Sequence, residues 1–418
     1  MHVLVTGASI AGPAFAFWLN RHGIDVTVVE RAPALREGGY CVDIRGVALE
    51  VVERMGLRDV LRPLAADTLE NVMVDERGRR FGRTPRGFGV IDPDDVEVLR
   101  GDLARVLVES TRERVRYRFG DSIAALRQHD RGVDVTFAGG DTATFDLVVG
   151  ADGVHSQVRA LAFGPEREFL RDMGSAMAIF TAPNHLGLHR QQLLFSGLRR
   201  IASVKSTHGD RDLMCAVFFA HGDRFDHRDV PGQRRLVADA FAGAGWEFPR
   251  LIAAMQRADD FYCDLTCQIR LPTLSRGRVA LVGDAGYCPS PLSGQGTSLA
   301  LVGAYVLAAE LARGADLATA LRRYDERMLP FVRRNQDIAL KLAGGFAPES
   351  PFQVRMRRLA MRLLPYVPGS SLLMQVAMRG IREAARDLEL PPVSRPIHGS
   401  RAGGVTPGAI VTGTSGQV

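Results

Sequence analysis

The sequence has few cysteines, and they form no recognisable framework. Cys41, Cys215, Cys263, Cys267 and Cys288 are odd in number and scattered over 418 residues. This pattern is typical of reduced thiols in a cytoplasm rather than of a disulfide-bonded secreted domain. Cys263 and Cys267 form a C-x-x-x-C pair, but no histidine or second cysteine pair stands nearby to complete a zinc set. The sequence therefore predicts a cytoplasmic protein in which these two cysteines are packing residues.

Lysine is almost absent. It occurs only at Lys205 and Lys341, so the net charge of +6 comes from arginine. Biased codon usage explains this better than selection for a polyanion surface, because no basic cluster is interleaved with aromatic residues. The arginine-rich stretch 355–364 (RMRRLAMRLL) favours a solvated face of an amphipathic helix. We therefore expect no nucleic-acid partner.

Long apolar runs are also lacking. No run of about 18 apolar residues could span a bilayer, and the first strand-like stretch begins at Val3, which leaves no room for a signal peptide. The hydrophobic content of 46% and the charged content of 24% are those of a soluble globular protein. The length suffices for one large or two ordinary domains.

The order of apolar patterns predicts an α/β fold. The successive segments are 2–30 (strand, tight turn, helix, strand), 95–111 (extended, then helical), 115–153 (an antiparallel excursion and a return strand), 175–270 (a second sheet) and 293 onward (helical). The stretch from about 393 is rich in Gly, Ser, Thr and Pro and is expected to be mobile.

The first chemical signal follows the first strand. In GASIAG, Gly7 provides the tight turn, Ser9 stands where a second glycine would admit a pyrophosphate, and Gly12 lets the helix pack on the strand. Glu30 ends the next strand, where an acid accepts hydrogen bonds from a ribose diol and repels a 2′-phosphate. These residues predict an adenosine nucleotide with a free ribose, FAD or NAD. The alternative is a strand–helix turn without a ligand.

Two later turns add to this signal. Asp152-Gly153 closes a strand and precedes Ser156 and Arg159; alone, such a turn is usually only a turn. In GDAGYCPSPLSGQGTS, Asp284 follows a strand end, where a carboxylate can hold a polyol hydroxyl. Residues 294–296 (Gly-Gln-Gly) bring backbone N–H groups to a helix start, which stabilises negative charge such as that of a reduced flavin.

In this order and at these separations, the three motifs resemble those of the FAD-dependent aromatic hydroxylases, the p-hydroxybenzoate hydroxylase family of flavoprotein monooxygenases. The nearest branch contains the tetracycline- and rifamycin-modifying monooxygenases, and the resemblance covers roughly residues 1–345. It implies a Rossmann-like FAD-binding domain of glutathione reductase type, with an inserted, mostly antiparallel β-sheet substrate domain and C-terminal helices. The implied parts are 1–72, 96–174 and 270–345 (discontinuous FAD-binding domain), 73–95 and 175–269 (substrate-binding domain), 346–392 (C-terminal helical region) and 393–418 (flexible tail).

Position by position, the resemblance implies an FAD site. The pyrophosphate would be lined by Gly7, Ser9, Ile10, Ala11 and Gly12, with Glu30 on the ribose and Arg31 against the adenine. The ribityl and phosphate region would be bound by Arg100 and Asp284, while Asp152 and Gly153 would serve both FAD and NAD(P)H. The flavin ring would be faced by Asp43, Arg45, Pro291, Gly294, Gln295, Gly296 and Thr297, with Arg45 also near the arriving NAD(P)H.

Four positions depart from the family pattern. Tyr287 stands where a histidine is common, Ser298 where an asparagine is common, Gly303 where an aspartate is common, and Ser9 replaces a glycine. None of these changes removes a phosphate or ribityl contact, so FAD binding remains the prediction, and the identity of the substrate stays open.

The resemblance also implies the reaction. NADPH or NADH would reduce FAD, O₂ would form a C4a-hydroperoxyflavin, and oxygen would pass to an aromatic or polycyclic, antibiotic- or polyketide-like small molecule. Because the flavin does this chemistry, no catalytic side chain is assigned, and His155 is interpreted as a turn residue. No metal is predicted, since the ten histidines show no H-x-x-x-H pattern. We expect a monomer or weak homodimer.

Candidate substrate contacts lie on the second sheet. Phe218 and Phe219 are consecutive in a strand, so one could line the cavity and the other the core. The helices after residue 345 could close the cavity or simply pack between domains. A flavin-dependent halogenase is disfavoured because Trp18 and Trp246 do not form a W-x-W-x-I-P element. A flavin-linked dehydrogenase or reductase without oxygen transfer, and a flavoprotein that only sequesters a hydrophobic drug, remain as alternatives.

Overall fold

The computed structural model describes residues 1–36, 39–66, 68–85, 94–222, 225–344, 347–370, 376 and 379–392. The predicted βαβ unit at the start of the chain is confirmed. It consists of β1 (His2–Thr6), α1 (Ala11–Arg21) and β2 (Asp25–Glu30), with the two strands paired in parallel. Both strands are buried on both faces, as strands inside a parallel sheet are.

A six-stranded sheet contains this unit. Its order is β17-β18-β11-β1-β2-β7, with β7 (Arg116–Phe119), β11 (Leu147–Gly150), β17 (Ser275–Arg276) and β18 (Val279–Leu281). All neighbours are parallel except β17, which pairs antiparallel with β18. The carboxyl ends of β1, β11 and β18 therefore lie side by side, which places the three sequence motifs at one edge of the sheet.

Different layers cover the two faces of this sheet. Val3 and Val5 point into a core shared with helices, whereas Leu4 points into a core shared with a three-stranded antiparallel sheet. That small sheet is the predicted excursion, formed by β8 (Ile123–His129), β9 (Gly132–Phe137) and β10 (Thr142–Phe145). The helices are α1, α2 (Val47–Met55), α3 (Arg58–Leu61), α4 (Arg100–Glu109), α9 (Gly296–Ala312) and α10 (Leu317–Ala343).

A second, seven-stranded sheet has the order β16-β12-β15-β14-β13-β4-β5, and only β13 and β4 pair in parallel. Its strands are β4 (Glu70–Val74), β5 (Arg80–Pro85), β12 (Leu170–Pro183), β13 (Gln191–Gly197), β14 (Arg200–Thr207), β15 (Asp212–Ala220) and β16 (Tyr262–Ile269). The predicted second sheet is thus confirmed, and two strands from residues 70–85 complete it.

Alternation along β15 gives the two faces of the seven-stranded sheet different partners. Phe219 is buried with Phe241 and Phe248 in the core under α6 (Val230–Ala240) and α7 (Phe248–Met255). Phe218 points the other way, into an apolar cluster with Met177 and residues of β3 (Cys41–Ile44). The strand β3 pairs antiparallel with β6 (Val96–Leu99). The sequence left this choice open, and the structure assigns Phe219 to the core.

The described residues from 293 onward are mainly helical, as predicted: α9 and α10 are followed by α11 (Pro351–Leu363) and α12 (Arg379–Arg386). Two short helices, α5 (Gln157–Ala162) and α8 (Asp284–Tyr287), come earlier in the chain. The arginine-rich helix α11 differs in part from the expected solvated arginine face. Arg355 and Arg362 are exposed as expected, but so is an apolar stripe that includes Phe352 and Leu359. Arg358 instead pairs with Glu76 of the second sheet's hairpin.

None of the helices in the described residues combines the length and hydrophobicity that crossing a bilayer requires. All five cysteines are free thiols, and Cys263 and Cys267 are buried as expected of packing residues. The expected mobile tail, 393–418, lies outside the described residues, as do residues 86–93 of the expected substrate-binding domain. The proposed domain boundaries remain a prediction, whereas the predicted mixed α/β class is confirmed.

Candidate cofactor and active site

The turn after β1 requires two glycines. Gly7 has φ +94° and donates its N–H to the Val29 carbonyl at 2.7 Å. A Cβ at Gly7 would overlap the Ala151 carbonyl oxygen, and one at Gly12 would overlap the Gly7 carbonyl oxygen. Within the described residues, no side chain caps the start of α1. Its first N–H groups therefore point to the sheet edge where an anion can bind.

Glu30 lies at the rim of this turn. Its carboxylate accepts hydrogen bonds from the backbone N–H groups of Ala8 and Ala32, both at 2.8 Å. These bonds fix the acid beside the α1 turn, at the end of β2. Arg31 follows it and is exposed. The placement agrees with the expected contact to the ribose of an adenosine, which stays a prediction.

The third motif meets the first one. After β18, Gly283 turns the chain with φ +68°, and a Cβ there would lie 2.9 Å from Cβ of Ala11 in α1. Asp284 then begins α8, and its Oδ1 lies 3.8 Å from the place a Cβ of Gly296 would take. Burial raises the pKa of Asp284, while the positive charge of Arg100 acts to lower it. Two helix starts and one carboxylate therefore share this edge of the sheet.

The start of α9 offers unused donors. Gln295 occupies the N-cap position, and no side chain in the described residues caps this helix. The Gln295 side chain is buried, and its Nε2 has no hydrogen-bond partner among the described residues. A buried amide without an acceptor is costly unless a ligand supplies one. The carbonyl and ring nitrogens of a flavin are such acceptors, so these residues fit an FAD.

Residues of β3 close the same site from the other side. Arg45 forms an ion pair with Asp43 at 2.8 Å, and both lie beside Gly294, whose Cβ would be 3.4 Å from Nη1 of Arg45. Ser298, a departure from the family pattern, accepts a hydrogen bond from the Arg45 N–H at 3.0 Å and donates to the Asp43 carbonyl at 3.3 Å. Ser298 therefore ties β3 to the start of α9.

Arg100 interacts with two parts of the site, Tyr40 before β3 and Asp284 at the start of α8. Its backbone N–H donates to the Tyr40 carbonyl at 2.9 Å, and its guanidinium lies 6.0 Å from the centre of the Tyr40 ring. It also acts electrostatically on Asp284. Pro291 opens a short 3₁₀ helix directly before Gly294, and Thr297 is buried in the first turn of α9. Tyr40 is a site residue that the motifs did not single out.

The second motif has a structural role. The Asp152 carboxylate accepts hydrogen bonds from the Ser156 hydroxyl at 2.5 Å and from the N–H groups of Gln157 and Val158. It thus holds the start of α5 in place. Gly153 has φ +83°, and a Cβ there would meet no atom of the described residues within 4 Å. The backbone of Gly153 is therefore the part of this motif that a cofactor can approach.

Arg159 links the second motif to the third. Its side chain is fully buried and donates to the Ala285 carbonyl in α8 at 2.9 Å. It also donates to the Val154 carbonyl at 2.6 Å and pairs with Glu166 at 2.7 Å. The guanidinium therefore fixes the turn after β11 against the helix that begins with Asp284.

His155 lies in the expected turn but does more than turn the chain. Its Nδ1 lies 2.9 Å from Glu166 and its Nε2 3.1 Å from Asp264 of β16, which also accepts from the Tyr262 hydroxyl at 3.1 Å. Burial alone would lower the pKa of His155, but the two carboxylates outweigh it and raise the pKa to about 9. His155 is therefore a charged bridge between the two sheets.

Sequence spacing missed this cluster because its members come from separate parts of the chain. His227 stacks on His155 with ring centres 3.7 Å apart, and possible metal-binding atoms of His155, Glu166 and His227 lie within 4.8 Å of one another. Both ring nitrogens of His155 already face carboxylates. The near-parallel rings also do not aim their in-plane lone pairs at one point. The arrangement is that of an ion-paired bridge.

An apolar surface faces the cofactor edge. Met177, Ile179 and Met214 are buried there against Tyr40 and Cys41 of the β3 segment, with Phe218, Ala216 and Tyr262 partly buried around them. Beside this surface, Lys205 of β14 is buried and pairs with Glu97 of β6. This apolar cluster therefore lies between the seven-stranded sheet and the β3 segment, on the side of the sheet that faces the cofactor edge.

Comparisons with known proteins agree with this geometry. Residues 1–229 match the family model described as FAD binding domain. An uncharacterized protein of Mycobacterium tuberculosis is 45% identical over 83% of this chain and 94% of its own length. A flavin-dependent monooxygenase from an unknown prokaryotic organism is 37% identical over 84% of this chain and 91% of its own length. The crystal structure of the tetracycline destructase Tet(51) superposes with a TM-score of 0.82 at 33% identity, covering 94% of this chain and 99% of that one.

The family match covers more than half of the chain, and each of the two relatives matches more than four fifths of it. The resemblance to FAD-dependent hydroxylases and the prediction of an enzyme are confirmed. The chain belongs to the flavin-dependent monooxygenases that share this FAD binding domain.

Proposed function

We propose that the protein is an NAD(P)H-consuming monooxygenase that uses FAD and O₂ to hydroxylate an aromatic or polycyclic, antibiotic- or polyketide-like small molecule. One observation carries the proposal. The apolar surface around Met177, Met214 and Phe218 faces β3, and β3 is bonded through Ser298 to the start of α9. A planar substrate on that surface would lie next to the ring end of the cofactor site.

When bound, the flavin supplies electron uptake from NAD(P)H and activation of oxygen; the chain supplies position and electrostatics. The uncapped start of α9 and the Gln295 amide would stabilise negative charge at the flavin ring. Asp284 and Arg100 would hold the ribityl chain, and Glu30 the adenosine ribose. The buried apolar surface excludes water from the place where oxygen transfer occurs.

The likeness to a tetracycline destructase supports a polycyclic substrate, since the two chains match over nearly their full lengths. The methionine and phenylalanine side chains of this surface would pack against the aromatic rings of such a molecule. The same surface would admit smaller phenols, so the substrate is to be found by experiment.

The test is oxygen transfer. Purified protein loaded with FAD is incubated with a tetracycline, a rifamycin or a simple phenol, and the oxidation of NADPH and NADH is followed together with O₂ uptake. The expected result is substrate-stimulated NAD(P)H oxidation and a product that carries one ¹⁸O atom when the gas is ¹⁸O₂. Turnover without label would indicate a flavin-linked dehydrogenase. Tight binding without stimulated oxidation would indicate a protein that sequesters the molecule.

A further inference from the structure

The helix α11 turns its apolar side away from the protein. Phe352, Met356, Leu359 and Leu363 are exposed to 70%, 46%, 48% and 50%. Their spacing of four, three and four residues places them in one stripe along the helix. Tyr366 and Val367 continue the stripe past the last turn, exposed to 81% and 46%. An outward stripe of this length on a surface helix marks an interaction site.

Contacts on the opposite side fix this orientation. Val354 is buried, and Arg358 pairs with Glu76 in the loop between β4 and β5. The backbone carbonyl of Met361 lies 3.0 Å from the place a Cβ of Gly82 in β5 would take. Burial lowers the pKa of Arg357, as expected for a guanidinium packed against the protein. The helix is therefore held by the side that carries Val354, Arg358 and Met361, and the apolar stripe faces outward.

The charged residues of the helix itself have one sign. Residues 351–363 contain four arginines and no aspartate or glutamate. Two of these arginines, Arg355 and Arg362, are exposed and follow one flank of the stripe at a spacing of seven residues. A second copy that presented the same face would bring these like charges together, which costs free energy. An anionic surface that also accepts apolar side chains would be complementary to both the exposed arginines and the apolar stripe.

We propose that α11 docks the protein on an anionic lipid surface. Its stripe would insert at the boundary between headgroups and acyl chains, and Arg355 and Arg362 would pair with lipid phosphates. The helix of 13 residues would lie in the plane of the interface rather than cross it. Tyr366, just past the helix end, is of the aromatic type that favours this boundary, and Phe352 adds apolar area near the helix start. The docking surface is independent of the reaction proposed above.

Flotation with lipid vesicles tests the proposal without any assay of activity. The full-length, FAD-loaded protein is mixed at low ionic strength with vesicles of phosphatidylcholine and phosphatidylglycerol in equal parts, or of phosphatidylcholine alone. We expect the protein to float with the anionic vesicles. The double variant Phe352→Ser/Leu359→Ser should reduce the bound fraction about tenfold, because it removes apolar area from the stripe. Arg355→Glu/Arg362→Glu should reduce it by a similar factor of about ten.

Matched control variants distinguish vesicle binding through α11 from binding that depends only on net charge or on any exposed apolar side chain. Leu161→Ser changes an exposed leucine on α5, and Arg112→Glu/Arg322→Glu makes the same change of net charge at two exposed arginines elsewhere. These variants should bind vesicles like the unchanged protein. Thermal unfolding of every variant verifies that its fold is intact, as expected for changes at exposed positions.

Three outcomes would overturn the proposal. The first is failure of the unchanged protein to float with anionic vesicles. The second is equal loss of binding in the control variants, which would show attraction through net charge alone. The third is self-association in analytical ultracentrifugation that Phe352→Ser/Leu359→Ser abolishes while vesicle binding is unaffected. In that case a second copy of the chain occupies the stripe.

Discussion

The hydroxyl of Tyr287 fills the space in which a side chain at Gly303 would lie. A Cβ built on Gly303 would overlap that hydroxyl oxygen and would stand 2.9 Å from Cζ of the Tyr287 ring. Tyr287 is buried, and its hydroxyl lies 3.3 Å from the hydroxyl of Tyr324, which donates to the Leu281 carbonyl at 2.9 Å. Two departures from the family pattern, tyrosine for histidine and glycine for aspartate, are therefore one coupled change.

This coupling predicts non-additive effects on stability. Gly303→Asp alone should lower the free energy of unfolding by about 3 kcal/mol or more, because the new side chain overlaps Tyr287. Tyr287→His alone should lower it through the cavity it leaves. The double variant should be more stable than the sum of the single effects by roughly 1–3 kcal/mol. Urea denaturation measures all three, with Gly380→Ala, whose Cβ meets no described atom within 4 Å, as the control. Additive effects would contradict the coupling.

Arg159 should be required for both stability and cofactor binding. Arg159→Ala removes the donor to the Ala285 carbonyl and leaves Glu166 without its guanidinium partner. Loss of the buried guanidinium and its bonds to two carbonyl groups should lower the free energy of unfolding by roughly 1.5–3 kcal/mol, while Glu166 keeps His155 as a partner. The start of α8 with Asp284 should also lose its fixed position, so FAD should bind more weakly by fluorescence titration. Arg167→Ala, at an exposed arginine in the same segment, is the matched control and should change neither property.

The local parts of the site could be predicted from sequence. Gly7, Gly12 and Gly294 lie at short turns where the backbone geometry requires glycine, and Glu30 lies beside the first of these turns. Their meeting follows once β1, β11 and β18 are neighbours in the sheet, because all three strands end at the same edge. The spacing of the motifs does not give the strand order, and the family resemblance implies only a Rossmann-like FAD-binding domain.

Long-range pairs could not be predicted. His155 and Asp264 are 109 residues apart, and nothing near either residue indicates the other. The same holds for Lys205 and Glu97, although Lys205 is one of only two lysines in an arginine-rich chain, and this rarity was a signal that could have been followed. The exposed apolar stripe of α11 could not be predicted either, because periodicity identifies an amphipathic helix without telling which side faces the protein.

His155 should make the stability of the protein depend on pH. Its folded-state pKa of about 9 lies above the ordinary value of 6.5, so its contribution is fully present below pH 6.5 and is lost as the pH rises toward 9. The melting temperature of the unchanged protein should therefore fall between pH 6.5 and about pH 9, and His155→Gln should lack the part of this fall that comes from His155. His129→Gln, at an exposed histidine, is the control and should follow the unchanged protein. An identical pH profile for His155→Gln would refute the charged bridge between Glu166 and Asp264.

The two ends of the cofactor site should respond differently to FAD and FMN. Glu30 lies at the α1 turn, where only the adenosine half of FAD would reach, whereas Asp284 lies between the two helix starts. Glu30→Gln should therefore weaken FAD roughly tenfold and leave FMN unchanged, since FMN has no adenosine. Asp284→Asn should weaken both. Titration of flavin fluorescence measures the four affinities, and Glu53→Gln, at an exposed glutamate, controls for charge. Equal weakening of both flavins by Glu30→Gln would place Glu30 elsewhere on the cofactor.

Consecutive residues of β15 provide a matched pair for the substrate surface. Phe219 is packed against Phe241 in the core, so Phe219→Ala should lower the free energy of unfolding by about 3–5 kcal/mol. Phe218 is partly buried in the cluster that faces β3, so Phe218→Ala should cost less stability and should instead raise KM for an aromatic substrate. Urea denaturation and steady-state NAD(P)H oxidation separate the two effects. If Phe218→Ala left KM unchanged for every substrate that stimulates oxidation, the substrate would have to lie on a surface other than this face of the sheet.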